Sequence, residues 1–143
     1  MSKGGYLLDV NLLFALLSPD HIHYKLARKW LVSTEQSWGT CAFSEAGYMR
    51  LATHSRAGGH SFEVAEMALR SLIQHPRFRF WPITKGWSAM STKLSSRVYG
   101  HQQITDVYLL GLAIQENGTL ATLDKGIRHL AGEQYAKHVL ILE

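Results

Sequence analysis

Two rhythms of apolar and polar residues alternate along this chain. Five short apolar runs have the length of strands: residues 6–9, 38–41, 78–81, 119–123 and 138–142. Between them apolar side chains return every three or four residues, the spacing of a helix with one buried face. This predicts helices over 11–17, 21–34, 61–74, 87–98 and 125–131, and another that carries Phe43, Glu45, Tyr48, Met49 and Leu51 and ends near Thr53. Residues 104–116 are apolar on nearly every face, which predicts a central, well-buried helix. Ser18-Pro19-Asp20 breaks the first helix and caps the second, Ser55–His60 with its adjacent glycines reads as a loop, and Pro82 limits pairing of the 78–81 run. Strands that alternate with helices predict an α/β fold with a mostly parallel sheet.

In such a sheet, right-handed crossovers bring the C-terminal ends of the strands to one edge, where ligands bind. That geometry gives meaning to the acids. The chain has only four aspartates, and three sit where an apolar run stops: Asp9 after Tyr6-Leu7-Leu8, Asp106 after Gln103-Ile104-Thr105, and Asp124 after Leu120–Leu123. Glu45 joins them from the helix after the second strand. Each has a plain alternative, since Asp9 and Asp124 can cap the helices that follow, and Asp106 and Glu45 favour the dipole of a first turn. Capping requires no partner acid at a matching place in the fold, so the set of four argues for a shared site more strongly than any member does.

Carboxylates gathered in one pocket repel one another, and a hard divalent cation relieves the repulsion. Mg²⁺ keeps several waters and takes few protein carboxylates, which leaves room for phosphate oxygens. Such an ion activates water for attack on phosphorus, and the reaction is then hydrolysis of a phosphodiester. Asn11, Ser44, Thr105 and Thr122 each lie within two residues of one of these acids and are placed to orient a carboxylate or a water.

Composition sets the wider bounds. At 143 residues the chain reads as one domain over 1–143, with 46% hydrophobic and 18% charged residues placing it among globular proteins rather than disordered ones. Cys41 is the single cysteine, which excludes an internal disulfide and a cysteine-based zinc site and fits a reducing cytoplasm. Met1–Gly5 runs straight into a strand-like segment, so no leader is expected, and no apolar stretch approaches the roughly 20 residues of a membrane span. Net charge is +4, and once four acids are gathered in a pit the remaining surface is more basic still, suited to holding a polyanion.

Leu7-Leu8-Asp9-Val10-Asn11, Ser44-Glu45, Thr105-Asp106 and Thr122-Leu123-Asp124, in that order along essentially the whole chain, resemble the motifs of PIN-domain ribonucleases. Arg50–His54 followed by Gly58-Gly59, and Phe80-Trp81-Pro82, are similar to segments of the VapC-type toxins of bacterial toxin–antitoxin pairs. The resemblance implies a PIN-like three-layer sandwich with a five-stranded parallel sheet and helices on both faces. It implies an endoribonuclease dependent on Mg²⁺ or Mn²⁺, with Asp9, Glu45, Asp106 and Asp124 at the family's acidic positions and Asp124 acting directly or through water. It also implies a VapB-type antitoxin partner, homodimerisation, and contact with DNA only through the antitoxin.

Other chemistries find less support. The eight histidines include no i, i+4 pair suited to zinc on a helix. There is no phosphate-binding glycine motif, and Ser44 lies in no nucleophile elbow. No aromatic-rich stacking motif surrounds the tryptophans, which read as core or interface residues. A catalytically silent RNA- or protein-binding module, a nuclease acting on DNA and a metal-dependent phosphatase are the alternatives to ribonuclease activity.

Overall fold

The computed structural model describes residues 4–143. The expectation that the chain begins without a leader falls partly on residues 1–3, outside that range. Four parallel strands, β1 (Tyr6–Leu8), β2 (Trp38–Gly39), β3 (Thr119–Thr122) and β4 (Val139–Ile141), form one sheet in the order β2-β1-β3-β4. Around it lie α1 (Val10–Leu16), α2 (Tyr24–Ser33), α3 (Ala42–Thr53), α4 (Phe62–Ile73), α5 (Trp87–Ser91), α6 (Ile104–Gln115) and α7 (Ile127–Ala131).

Side chains along a strand alternate between the two faces of a sheet, and here each face has its own core. Leu8 and Ala121 join the cluster built on α1 to α4, with Leu12, Leu13, Leu16 and Tyr48. Their neighbours Leu7 and Leu120 join the opposite cluster built on α5 to α7, with Leu94, Leu109, Leu110 and Ile127. α6 is buried around most of its circumference, as its continuous apolar sequence predicts. No helix among the described residues is long and apolar enough to cross a membrane.

The expected fifth strand is the main departure. Residues 78–81 lie beside β2 and exchange three backbone hydrogen bonds with its end: Trp38 N to Arg77 O, Arg79 N to Trp38 O and Trp81 N to Thr40 O. Only Trp38 and Phe78 meet as a bridge, so the segment is a hydrogen-bonded edging rather than a ladder. Its close passage explains Gly39. A Cβ there would stand 1.6 Å from the Arg79 carbonyl oxygen, a place no side chain can share.

Two other boundaries moved for local reasons. α2 starts at Tyr24 rather than 21, because residues 18–23 are spent in turns closed by His21 N to Ser18 O and Tyr24 N to His21 O. Ile22 is therefore fully out in solvent rather than on the core face. The helix expected over 87–98 ends at Ser91, in a stretch where Thr92 Oγ1 turns back to Ser88 O and Ser95 opens a short 3₁₀ turn. Serine and threonine hydroxyls compete there with helical bonding.

Gly39→Ala is expected to cost about 2–3 kcal/mol, since either the β2 end or the 77–81 segment must shift. Gly100→Ala, with open space around it, is expected to stay within about 0.5 kcal/mol of wild type. Urea denaturation of the two variants checks the contrast, and equal losses would show that the close approach is not a constraint.

Candidate active site

Strand order fixes where the site lies. From β1 the chain moves outward to β2, then crosses back to lay β3 on the other side of β1 and continues to β4. The β1/β3 junction is thus the point where the order reverses, and at the strands' C-terminal ends such a point leaves a crevice. Asp9 follows β1 directly and Asp124 lies two residues past β3.

The junction orients Asp9 closely. Leu8 is in register with Ala121, and Asp9 N donates to Ala121 O at 3.0 Å, which sets Asp9 beside Thr122. The buried Thr122 hydroxyl donates to Asp9 Oδ2 at 2.6 Å and accepts from Asp124 N at 2.9 Å. Asp9 Oδ1 accepts from Val10 N at 2.7 Å at the start of α1, so the capping alternative is real but accounts for only one oxygen. Asp124 shares this double character: Oδ1 accepts from Gly126 N at 2.8 Å in the turn into α7.

Asp106 arrives from a third direction, in the first turn of α6. Among the described residues it has no hydrogen-bond donor and no lysine or arginine pairs with it. Burial, with Asp9 and Asp124 adding negative charge, pushes its carboxyl up from the ordinary 3.8 to about 7. Burial also raises Asp9, against the lowering pull of its bonds to Thr122 and Val10, while Asp124 adds to the rise. The three aspartates therefore sense one another. As the side chains lie, however, no three carboxylate, imidazole or thiol groups among the described residues stand close enough to share one ion. The two observations agree, because charges interact well beyond the roughly 2 Å of a coordination bond.

Glu45 comes to the same edge by a different route. In the first turn of α3, its Oε2 accepts from Thr40 Oγ1 at 2.6 Å, just past β2. No coupling to the aspartates appears among the causes of their shifts, so Glu45 flanks the trio. Of the four neutral neighbours, Thr122 alone bonds an acid side chain. Ser44 is turned inward, accepting from Cys41 N and donating to Cys41 O at the start of α3. Asn11 and Thr105 are exposed on the outward sides of their helices. Thr40 performs the role expected of Ser44; its signal was a hydroxyl ending the second apolar run, one turn before a helical glutamate.

The donors are all hard oxygens, which suits Mg²⁺ or Mn²⁺, and Mg²⁺ takes one or two carboxylates beside its waters. Asp9, Asp106, Asp124 and Glu45 are the carboxylates at this edge that could hold such an ion. A cavity of about 970 Å³ lies elsewhere, beside β4 and lined by Arg97, Arg128 and His129.

Comparison with known proteins matches residues 6–133 to the family described as PIN domain. Ribonuclease VapC29 of Mycobacterium tuberculosis is 34% identical over 127 residues, covering 89% of this chain and 91% of the relative. Ribonuclease VapC44 of the same organism is 34% identical over 125 residues, covering 85% and 87%. The crystal structure of M. tuberculosis VapC20, described as a Sarcin-Ricin loop cleaving toxin, superposes with a TM-score of 0.59 over 80% of this chain and 85% of that one. Its sequence is 12% identical, so the likeness is one of fold.

The raised Asp106 predicts a pH-dependent strain. Between the ordinary 3.8 and about 7 the folded state holds a proton that the unfolded state releases. Stability contributed by this site therefore falls as pH rises through that window. Asp106→Asn is expected to raise the melting temperature at pH 8 in EDTA, and the gain should shrink at pH 5. A gap of equal size at both pH values would mean that Asp106 titrates as an ordinary surface carboxylate.

Proposed function

The chain belongs to the PIN-domain family as a VapC-type ribonuclease, and from that footing we propose a divalent-metal-dependent endoribonuclease, the toxin of a toxin–antitoxin pair. The observation that carries the reading is the meeting of Asp9, Asp106 and Asp124, from three separate elements, at the β1/β3 crevice with no cation among the described residues to neutralise them. Asp9 and Asp106 would hold Mg²⁺, or Mn²⁺ in its place, with Asp124 and Glu45 as further carboxylates that would act directly or through water. When bound, the ion supplies charge neutralisation, activation of water and stabilisation of the leaving oxygen.

The chain's own residues do the remaining work. Two bonds hold the Asp9 carboxylate in one orientation, so little ordering is left for the moment of reaction. Asp106 has no donor among the described residues, and burial with the negative charge of Asp9 and Asp124 pushes its carboxyl up to about 7, so it is the second carboxylate whose charge a cation would relieve. Attack on phosphorus breaks the P–O ester bond, and the departing oxygen leaves protonated from solvent. The basic remainder of the surface draws in the RNA backbone, although Arg79 is not part of it: its guanidinium lies over the Trp81 ring and bonds Gly4 O.

We further propose a VapB-type antitoxin as partner, which the VapC names of the curated relatives support, together with homodimerisation, action in the cytoplasm and a single PIN unit over residues 1–143. DNA is touched only through the antitoxin.

Asp9→Asn and Asp106→Asn are each expected to lower RNA cleavage by more than 100-fold in Mg²⁺, roughly the loss of one essential group, while circular dichroism shows an intact fold. Incubation with total RNA, single-stranded DNA and a simple phosphate ester should yield fragments from RNA alone, and EDTA should stop the reaction. Wild-type cleavage by Asp106→Asn would overturn the mechanism; preferential cleavage of DNA would redirect the substrate; tight RNA binding without cleavage in either metal would make the protein a silent binding module.

A further inference from the structure

Three aromatic rings from distant parts of the chain meet beside the acids. Phe43 is the second residue of α3, two before Glu45; Tyr108 lies two after Asp106 on α6; Trp87 opens α5. The Phe43 and Tyr108 ring centroids are 4.6 Å apart with planes tilted by 51°, and those of Trp87 and Tyr108 are 5.7 Å apart at 61°. Tyr108 is half-buried and packed on the core of α5 to α7, while Phe43 and Trp87 remain 40% and 37% exposed. Trp38 and Trp81, by contrast, are fully buried. The rings are thus held by packing yet left open to solvent, an arrangement that core packing alone does not explain.

We propose that Phe43, Tyr108 and Trp87 form a stacking shelf that seats a nucleobase of the RNA next to the acidic crevice. The inference rests on the ribonuclease reading above. Residues two apart on a helix point about 200° apart, so the rings lie across their helices from Glu45 and Asp106. A base on the shelf then seats one nucleotide while the neighbouring backbone passes around the first turns of α3 and α6 to the acids. Every base has a π-face, so such a platform grips single-stranded RNA with little regard for sequence. The Tyr108 hydroxyl has no hydrogen bond among the described residues and is free to meet a base edge or a phosphate.

The test compares short single-stranded RNA with the same backbone carrying abasic spacers, by fluorescence anisotropy in the full-length Asp106→Asn background with Mg²⁺. The shelf predicts preference for the base-bearing strand. Phe43→Leu and Trp87→Leu, which keep apolar bulk, should weaken that binding roughly tenfold and leave the abasic strand unaffected. Trp87→Phe should restore the preference. In the otherwise wild-type enzyme the leucine variants should raise KM with kcat nearly unchanged. A wild-type-like preference for bases in both leucine variants overturns the shelf. So does a shift from dimer to monomer with base preference intact, which would assign the rings to contact between copies. Binding of both strands alike by the parent protein sinks the shelf and spares the ribonuclease reading, whereas absence of any RNA binding or cleavage sinks both.

Discussion

A single buried hydroxyl ties the site to the fold. Thr122 Oγ1 donates a hydrogen bond to Asp9 and accepts one from the Asp124 backbone, joining the ends of β1 and β3 at the point where the strand order reverses. Desolvating a carboxylate is costly, and Asp9 is almost wholly buried. Its two hydrogen bonds offset part of that cost and fix its direction. Asp106 receives no such help, and its strain remains as a readiness to bind a proton or a cation. Only Asp9 is fixed in direction, because the Thr122 junction reaches it and not Asp106.

The sheet treats its two edges differently. Beyond β2 the 77–81 segment lies along the strand, and Gly39 exists to let it pass. Beyond β4 the described residues add no strand, and the cavity lined by Arg97 and Arg128 opens there. On the closed side, Trp81 N meets Thr40 O while the Thr40 hydroxyl holds Glu45, so the same edging that protects β2 also steadies the end of the strand that orients an acid. An edge device and a site device share one threonine.

Much of this was legible in the residues. Asp9 and Asp124 could be placed on one sheet edge because their apolar runs have strand length, and Asp106 in a first helical turn because the sequence after it is apolar on all sides. The neighbours were harder. Thr122 and Ser44 carry the same hydroxyl at similar distances from an acid, yet one bonds Asp9 and the other folds back on Cys41. Sequence distance does not state which way a side chain turns. The 78–81 run shows the same limit, since alternation favours a strand but cannot reveal that the partner allows one bridge.

The sequence by itself determined the α/β alternation, the parallel sheet and which acids close its apolar runs, because periodicity and strand length are local properties that survive any arrangement of the elements. Tertiary structure alone decided which acids interact, how far burial shifts Asp106, that Thr40 rather than Ser44 holds Glu45, and that Phe43, Trp87 and Tyr108 meet. Each of these depends on the distance between groups far apart along the chain. Electrostatic strain and ring packing fall steeply with that distance, and only the packed sheet and helices set it.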